Sequence, residues 1–337
     1  MRVLVTGANG FLGGRVATLL LEKGFDIRVL VRRPAPNLVA LGAEAYLGDL
    51  ADLPSLERAT DGVEGVIHCA AKSGVWGPLS DYVENNAMGA ARILEVARQR
   101  RVRYFVYTSS PSVVHAGGDL RGVDESAPYM NDTAQPYAYS KMLAERLVLR
   151  ANTPDFQTLA LRPHLIWGPG DPHLSPRLVE RAKRGRLHLF SGGPYIVDAT
   201  YIDNAATAHI LALEKLAAGA PVGGQAYFIG QDHPMDLTLL VNLLLRAAGV
   251  EPVKARINKS LGRFLGWSLE KIWTLARIAK EPPLTLFTAR QLSSSHWYNL
   301  ERAKTALGYQ PWVSLEEGLQ RLAASWRAGG EGKSEKA

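Results

Sequence analysis

The stretch VLVTGANGFLGGRV, residues 3–16, decides the fold of this chain. An apolar run ends at Thr6, and Gly7, Gly10 and Gly13 follow it at the start of an amphipathic stretch. A strand, a glycine-rich turn and a helix in this order let a pyrophosphate approach backbone N–H groups at the helix N-terminus. The spacing is G-x-x-G-x-x-G rather than G-x-G-x-x-G, and a purely structural turn is the alternative. The order of the elements favours dinucleotide binding.

Six short apolar runs, separated mostly by helical patterns, occupy the first 165 residues. They read RVLVTG, IRVLVR, EAYLGD, GVIHCAA, RYFVYTSS and FQTLALRP. Continuous apolar strands joined by helical crossovers indicate a parallel sheet that is covered on both faces. Because such crossovers are right-handed, the sheet is expected to be doubly wound. The predicted fold class is therefore α/β, of the Rossmann type.

The pattern changes after about Gly168, where proline and glycine become frequent and helical stretches then dominate. We expect residues 1–168 to form the dinucleotide-binding domain, with residues 200–230 returning to it. Residues 169–199 and 231–328 are expected to form a smaller, mostly helical substrate part over the C-terminal edge of the sheet. In the C-terminal half, short strands are predicted at AYFIG, residues 226–230, and at VKARIN, residues 253–258. The polar residues 329–337 are expected to be a disordered tail.

Composition excludes several classes of protein. Hydrophobic residues make up 47% and charged residues 21% of the 337 residues, as in ordinary globular proteins. The net charge of +7 is scattered, and no nucleic-acid-binding pattern accompanies it, so nucleic acid is not an expected partner. Anionic substrates, anionic cofactors and lipid surfaces remain possible partners for this positive charge. A single cysteine and the lack of a signal peptide or of a long apolar run predict a cytoplasmic protein.

The second apolar run indicates which dinucleotide is bound. NAD sites usually end this strand in an acidic residue that bonds the ribose hydroxyls. Here Val31 stands at that place, and Arg32 and Arg33 follow it. Since a guanidinium can pair with a 2′-phosphate, NADP is favoured over NAD. The alternative is that both arginines are ordinary surface charges. Asp49, in GDL after the third strand, could accept a hydrogen bond from the adenine amino group.

The stretch AQPYAYSKMLAER, residues 134–146, holds two tyrosines and a lysine. If it is helical, Tyr137 and Lys141 share a face, and Tyr139 points elsewhere. An ammonium beside a phenol lowers the phenol pKa, so Tyr137 could exchange a proton near neutral pH. On spacing alone, a packed aromatic ring and a solvated charge are the alternative.

Together these motifs resemble the extended short-chain dehydrogenase/reductase superfamily over nearly the whole chain. The resemblance rests on TGANGFLG, GDL, HCAAKSG, NNAMGA, YTSSPSV, YAYSK, LRPHLIWGPGD, TYIDNAA and the terminal WYNLERAKTALGYQPWVSLEEGLQRL. Within the superfamily the chain is similar to the 3β-hydroxysteroid dehydrogenase-like branch. There it resembles the bacterial 2-alkyl-3-oxoalkanoate reductases of long-chain olefin biosynthesis, through AAKSGVWG, TSSPSVVH, RPHLIWGPGD and HWYN.

The resemblance implies roles for individual residues. Tyr137 would donate a proton to a carbonyl oxygen, and Lys141 would lower its pKa and hold the nicotinamide ribose. Ser110 would bond the reacting carbonyl, with Ser109 as second choice. Asn86 would connect Lys141 to a water molecule that replaces the proton.

The remaining implied contacts fall into two sets. Residues expected along the cofactor are Gly7, Asn9, Gly10, Phe11, Leu12, Gly13, Arg32, Arg33, Asp49, Leu50, Ala70, Ala71, Lys72, Pro163 and Leu165. Residues expected at the substrate are Trp76, His115, His164 and Trp167. The histidines lack the spacing of metal ligands, so no metal site is expected.

The function implied is NADPH-dependent reduction of a ketone on a long apolar β-keto acid, a 2-alkyl-3-oxoalkanoate. A 3β-hydroxysteroid or 4-carboxysterol 3-dehydrogenase using NAD(P) stays open. A sugar-nucleotide epimerase is disfavoured, because Val114 and His115 stand where those enzymes have a V-Y-G tyrosine. A non-catalytic NADP-binding protein is disfavoured by the intact Ser110, Tyr137 and Lys141.

The stretch after Asn258 has an apolar stripe at helical spacing with basic residues around it. The stripe consists of Leu261, Phe264, Leu265, Leu269, Ile272, Trp273, Leu275 and Ile278. Two interpretations stay open: a helix packed on its own domain, or a lid or wall for a long apolar substrate, for which contact with a membrane surface is a further option. A homodimer or a complex with pathway enzymes is a further interpretation for partners.

Overall fold

The computed structural model describes residues 1–115 and 117–334, with side chains to residue 328. The strands are β1 (Arg2–Thr6), β2 (Asp26–Val31), β3 (Glu44–Leu47), β4 (Gly65–His68), β5 (Tyr104–Thr108), β6 (Leu120–Val123), β7 (Gln157–Pro163), β8 (Ile166–Trp167), β9 (Leu189–Phe190), β10 (Ile196–Val197), β11 (Thr200–Tyr201), β12 (Ala226–Ile229), β13 (Met235–Asp236), β14 (Arg256–Ile257) and β15 (His296–Tyr298). The α-helices are α1 (Phe11–Glu22), α2 (Pro36–Ala40), α3 (Leu53–Thr60), α4 (Leu79–Tyr82), α5 (Gly89–Gln99), α6 (Pro136–Arg150), α7 (Leu174–Lys183), α8 (Ile202–Ala217), α9 (Leu237–Ala247), α10 (Lys259–Leu275), α11 (Leu286–Leu292) and α12 (Leu315–Ser334). A 3₁₀ turn (Pro111–Val113) and two π-helical segments (Val83–Met88 and Ala303–Leu307) complete the elements.

Seven parallel strands form the main sheet, in the order β3–β2–β1–β4–β5–β7–β12. In β1, Val3 lies opposite Ile27 of β2 and Gly65 of β4. The chain leaves β1 in one direction to form β2 and β3 and in the other to form β4 and β5. A crevice therefore opens at the carboxyl ends of β1 and β4, where such sheets bind ligands. The predicted α/β fold is confirmed.

Both faces of the sheet are buried, which explains why its strands read as continuous apolar runs. Val3 and Val5 pack into one core with residues of α1 and α8. Leu4, between them in sequence, packs into the opposite core with residues of α3, α5 and α6. Alternate side chains of one strand thus serve two cores, and no position of β1 beyond Arg2 is left to face water.

A second sheet departs from the domain boundary expected at residue 168. Its strand order is β13–β10–β15–β6, and β6 comes from the first half of the chain. The sequence LRGV of β6 carries neither alternation nor a β-branched run, so sequence patterns did not reveal it. At the other boundary, β12 is the edge strand of the main sheet and α8 packs beside α1. In the expected tail, α12 continues to Ser334, and residues 335–337 lie outside the described residues.

Helix α10 packs on its neighbours through glycines rather than through its apolar stripe. Gly262 and Gly266 are its buried residues. A Cβ on Gly262 would overlap the ring of Phe190, and one on Gly266 would lie 2.9 Å from backbone atoms of Thr285. Of the two interpretations left open for the stripe, packing on its own domain is not met, because close backbone approach leaves most of the large apolar side chains outside. No helix among the described residues is long and apolar enough to cross a bilayer.

Candidate active site

The glycine turn after β1 is shaped by close backbone contact. Gly7 has a φ of +71°, and a Cβ there would lie 2.7 Å from the backbone nitrogen of Ala70. A Cβ on Gly13 would overlap the carbonyl oxygen of Gly7, so α1 sits directly on the turn. Gly10 precedes the first residue of α1, and no side chain of the described residues caps that helix end. Its first N–H groups are thus free to bind an anion such as a pyrophosphate.

A groove of about 620 Å³ runs from this turn along the carboxyl ends of β1, β2 and β4. The residues predicted for the cofactor that line it are Gly7, Asn9, Gly10, Arg32, Arg33, Asp49, Leu50, Ala70, Ala71 and Lys72. Phe11 lines an adjoining hollow with Asn9 and Gly10, whereas Leu12 and Gly13 lie partly or fully buried behind the turn. The size of the groove, the glycines that line it and the uncapped N-terminus of α1 fit a dinucleotide.

The far end of the groove carries a basic side chain and no acidic residue at the end of β2. Val31 is buried, and the side chain of Arg32 is 79% exposed. The Nε of Arg32 lies 4.0 Å from Oδ2 of Asp49, whose Oδ1 accepts the N–H of Ala51. The carbonyl of Arg33 accepts the side-chain amide of Asn9. Arg32 therefore stands at the groove with an exposed guanidinium.

The groove residues that the sequence did not point to include three polar ones far from the predicted motifs, Glu84, Asn85 and Arg92. Glu84 and Asn85 belong to the π-helical segment, and Arg92 lies on α5, where its Nη2 is 2.6 Å from Oε1 of Glu84. The sequence here reads as an amphipathic helix with polar residues outward. Only the fold brings this polar face over the groove, so no local signal identified these residues.

Lys141 lies on α6 and is only 2% exposed, because it is buried against the end of β5. Its Nζ donates to the carbonyl of Thr108 and lies 4.2 Å from the centre of the Tyr107 ring. Burial lowers the pKa of Lys141 to about 7. Tyr139, two residues earlier on α6, packs against the core of the main sheet, as the helical spacing predicts. Tyr137 lies on the Lys141 side of the helix.

Tyr137 has a pKa above its ordinary value, because burial disfavours the phenolate. The nearby Ser110 hydroxyl offsets part of this rise in the Tyr137 pKa. Ser112 donates its own hydroxyl to Oγ of Ser110 at 2.9 Å, which leaves the Ser110 hydrogen free for Tyr137. The expectation that Lys141 lowers the Tyr137 pKa is not met in this state, since the ammonium is directed at Thr108 and Tyr107.

Asn86 is buried and its side chain is fully used. Its Oδ1 accepts the N–H of Lys72 at 2.6 Å, and its amide donates to the carbonyl of Lys72 and to Oγ of Ser140. It makes no direct hydrogen bond to Lys141 among the described residues. Asn86 therefore ties the loop after β4 to α6 at Ser140, beside Lys141. Its link to the lysine through water stays a prediction.

Two predicted substrate histidines, His115 and His164, belong to a buried cluster that His296 completes. Nε2 of His296 bonds the carbonyl of Gln291, so this nitrogen carries the hydrogen. Nδ1 of His296 must then accept from Nε2 of His164, 3.0 Å away. His296 lies in the quoted HWYN, but no spacing pointed to it.

The cluster offers hydrogen-bond acceptors rather than positive charge. Burial lowers the pKa of His115 and His164, and that of His296 to about 4, so all three are neutral at pH 7. Nδ1 of His115 and Nδ1 of His164 have no partner within residues 1–115 and 117–334. With the assigned tautomers, His164 presents a lone pair, and so does His115, whose Nε2 donates to Gly118. At neutral pH these two histidines therefore offer acceptors, and no positive charge, to a bound molecule.

Of the other predicted site residues, two lie at the end of β7 and two are tryptophans. Pro163 is buried at the carboxyl end of β7, and Leu165 follows it with a φ of +39°. Trp76 is half-buried, and its Nε1 donates to the carbonyl of Ile278 at 3.2 Å. Trp167 is fully buried in a core that it forms with Tyr201 and with residues of α9 and α12. Its ring centre lies 5.2 Å from that of Tyr201. The prediction that Trp167 lines a pocket is wrong, because this ring is part of that core.

The buried histidines predict acid instability. Burial lowers the pKa of His68 to about 3 and the pKa values of His209 and His296 to about 4. The unfolded chain gains these protons below about pH 6.5 and the folded chain does not, so stability is lost as pH falls from 6.5 toward 4. Each such histidine contributes a slope of about 1.4 kcal/mol per pH unit.

Urea unfolding between pH 7.5 and 4.5 checks this expectation. His209→Asn should reduce the slope by one histidine's share, whereas His188→Asn, at an exposed position, should leave it unchanged. A free energy of unfolding that stays constant from pH 6.5 to 5 would contradict the assignment of neutral buried histidines.

The 3-beta hydroxysteroid dehydrogenase/isomerase family model matches residues 4–259 of this chain. The chain belongs to this family. It is 45% identical to the 2-alkyl-3-oxoalkanoate reductase of Stenotrophomonas maltophilia over 328 residues, covering 96% of this chain and 99% of the relative. The 2-alkyl-3-oxoalkanoate reductase of Shewanella oneidensis is 40% identical, with 95% and 85% covered.

Among solved structures, MoeE5 in complex with UDP-glucuronic acid and NAD is 25% identical. It covers 98% of this chain and 100% of its own, with a TM-score of 0.74. The family resemblance drawn from the sequence is confirmed, and this family member is an NAD(P)-dependent oxidoreductase of the short-chain dehydrogenase/reductase type.

Proposed function

We propose that the protein reduces the ketone of a long apolar β-keto acid, converting a 2-alkyl-3-oxoalkanoate to a 2-alkyl-3-hydroxyalkanoate with NADPH. The observation that supports the proposal is that Ser110 follows β5 and acts on Tyr137, while the amine of Lys141 reaches the carbonyl of Thr108 at the end of the same strand. The substrate class comes from the two reductases to which nearly the whole chain is similar.

The groove residues would hold the cofactor in a fixed direction. The glycine turn and the N-terminus of α1 would bind the pyrophosphate, and Arg32 the 2′-phosphate at the adenosine end. Lys141 would hold the nicotinamide ribose, and Pro163 would lie beside the carboxamide. When bound, the cofactor supplies a hydride to the carbonyl carbon.

Two residues of this chain would act on the carbonyl oxygen. Tyr137 would donate its proton there as charge develops, and Ser110 would hold the same oxygen with the hydrogen that Ser112 leaves free. Because burial raises the pKa of Tyr137, the phenol keeps its proton at neutral pH. A protonated tyrosine suits reduction, whereas alcohol oxidation requires it as a base.

The substrate would approach between the segments that follow β5 and β7, which are neighbouring strands. Trp76 lies beside that approach in the proposal, and His115 and His164 would line its polar end. Their Nδ1 lone pairs can accept from a hydroxyl or from a protonated carboxyl group.

A 3β-hydroxysteroid or 4-carboxysterol 3-dehydrogenase is the second candidate, favoured by the family's description. It would use the same residues in the oxidative direction with NAD(P)⁺. A panel of ketones and secondary alcohols, followed by nicotinamide absorbance, separates the two. The proposal expects turnover with long-chain 3-oxo acids and NADPH. Turnover confined to sterol alcohols would replace it with the second candidate.

Arg32→Ala is expected to raise the NADPH KM about tenfold or more, because a charge-assisted pair with the 2′-phosphate is lost. The NADH KM should change little, since NADH lacks that phosphate. Initial rates with each cofactor measure both constants. Arg98→Ala, an exposed arginine on α5 outside the groove lining, is the control. Equal effects of Arg32→Ala on both cofactors would remove NADP preference from the proposal.

A further inference from the structure

The carboxyl end of β5 is held from both faces of the main sheet. Val106 packs into the core that contains residues of α8, and Tyr107 packs into the opposite core, with residues of α6. Thr108 follows on the Val106 side, and its Oγ1 lies 2.8 Å from Nε2 of His209 on α8. The carbonyl of the same Thr108 accepts the amine of Lys141 from α6. Thr108 therefore joins a buried histidine on one face of the sheet to Lys141 on the other.

The hydrogen bonds of His209 have one consistent direction. Its Nδ1 lies 2.8 Å from the carbonyl oxygen of Ala205, which can only accept, so Nδ1 carries the ring hydrogen. Burial lowers the pKa of His209 to about 4, so the ring is neutral at pH 7 and Nε2 keeps a lone pair. The hydroxyl of Thr108 must then donate to Nε2. Sγ of Cys69 lies 3.2 Å from the same hydroxyl oxygen, and burial raises the pKa of this thiol to about 11, so its hydrogen stays available to that oxygen.

These contacts fix the orientation of Thr108. A β-branched residue has few rotamers, so a bonded hydroxyl also restrains the backbone that carries it. The N–H of the next residue, Ser109, donates to the carbonyl of Leu161 on β7 at 2.6 Å. Ser110 follows, and in the proposed function it bonds the carbonyl oxygen of the ketone. The segment that holds the amine of Lys141 therefore also sets the position of this serine.

We propose that His209 is a positioning residue, which holds Lys141 at the end of β5 through the hydroxyl and the carbonyl of Thr108. In the described part of the chain, His209 does not line the dinucleotide groove, so it acts through Thr108 rather than on the cofactor. The expected effect on turnover rests on the proposed function, whereas the expected effect on the place of the amine does not.

Two substitutions separate the two nitrogens of His209. His209→Asn keeps an amide near Nδ1 for the carbonyl of Ala205 but has no atom at Nε2, so the bond from Thr108 is lost. His209→Gln places its side-chain oxygen near Nε2 and keeps an acceptor for Thr108. Thr108→Val removes the hydroxyl and leaves the backbone carbonyl in place, so it breaks the same bond from the other side. His188→Asn, at an exposed position, is the control.

Acetylation of Lys141 by acetic anhydride, followed by peptide mass spectrometry without cofactor or substrate, shows where the amine lies. The rate should rise about fivefold or more in His209→Asn and in Thr108→Val, because loss of one buried hydrogen bond frees the end of β5. His209→Gln and the control should stay close to the wild type. Circular dichroism verifies that each variant is folded, and if His209→Asn does not fold, Thr108→Val gives the same measurement.

Turnover shows whether this position serves the reaction. With the site concentration taken from NADPH titration, kcat for ketone reduction should fall about tenfold in His209→Asn, with little change in the ketone KM, because the reacting groups are displaced. Thr108→Val should lose a similar factor, and the double variant should lose no more than either single one. His209→Gln should regain most of the lost kcat.

The two measurements contradict the inference in different ways. An unchanged acetylation rate in both His209→Asn and Thr108→Val would show that the histidine does not hold Lys141. Faster acetylation with an unchanged kcat, or equal losses of kcat in His209→Asn and His209→Gln, would overturn the positioning role. If the wild-type protein reduced no ketone, the proposed function would fail, and the acetylation rates would still decide whether His209 holds the amine.

Discussion

Tyr137→Phe is expected to lower turnover by about 10²-fold or more while leaving NADPH binding intact, the usual scale for loss of a general acid. The phenylalanine ring keeps the packing but has no proton to give to the carbonyl oxygen. Because burial raises the pKa of Tyr137, the wild-type residue carries that proton at neutral pH. Steady-state rates with a ketone, together with NADPH titration by fluorescence, measure the two effects separately.

Tyr139→Phe is the matched control for this prediction. Tyr139 lies two residues away on α6 and packs against the core, so loss of its hydroxyl should leave turnover nearly unchanged. If Tyr139→Phe were the more damaging change, the assignment of the proton donor would be wrong.

Lys141→Met is expected to remove most activity and to change the pH dependence of stability. Burial lowers the pKa of Lys141 from 10.5 to about 7. Between these values the unfolded chain holds a proton that the folded chain lacks, so this residue's cost to stability shrinks as pH rises. From pH 7 to pH 9 the wild-type protein should gain about 2 kcal/mol relative to the variant. Urea unfolding of the cofactor-free protein measures this.

Lys183→Met, at an exposed position on α7, should leave the rise intact and serves as control. Identical pH profiles for wild type and Lys141→Met would show that Lys141 stays charged when buried. A variant that is inactive yet more stable at pH 7 would instead show that the buried amine is kept for function at a cost to the fold.

The main sheet could be predicted because burial on both faces leaves a signature within each strand. Every predicted apolar run contains a strand of that sheet, and the glycine turn places the first crossover. Strand β6 could not be predicted, because its four residues gain their place only by pairing with β15, more than 170 residues later. Helix α10 was predicted as amphipathic, but periodicity does not reveal that glycines would take the packed face.

The site was predictable where motif order carries meaning and not where a side chain's direction matters. The groove collects Gly7 and Gly10 with Arg32 and Asp49. Sequence spacing puts Lys141 beside Tyr137, yet cannot show that its ammonium binds the carbonyl of Thr108. Likewise, the sequence does not show whether Trp167 lines a pocket or fills a core.

Reduction of a long-chain 2-alkyl-3-oxoalkanoate by the wild-type protein and by Tyr137→Phe, with NADPH in excess, tests the central proposal most directly. NADPH loss and the product are followed together, by absorbance and by mass spectrometry. We expect the wild type to form one 2-alkyl-3-hydroxyalkanoate for each NADPH consumed. The rate of product formation by the variant should be lower by about 10²-fold or more. Unchanged NADPH and ketone with the wild type, or equal rates for the two proteins, would contradict it.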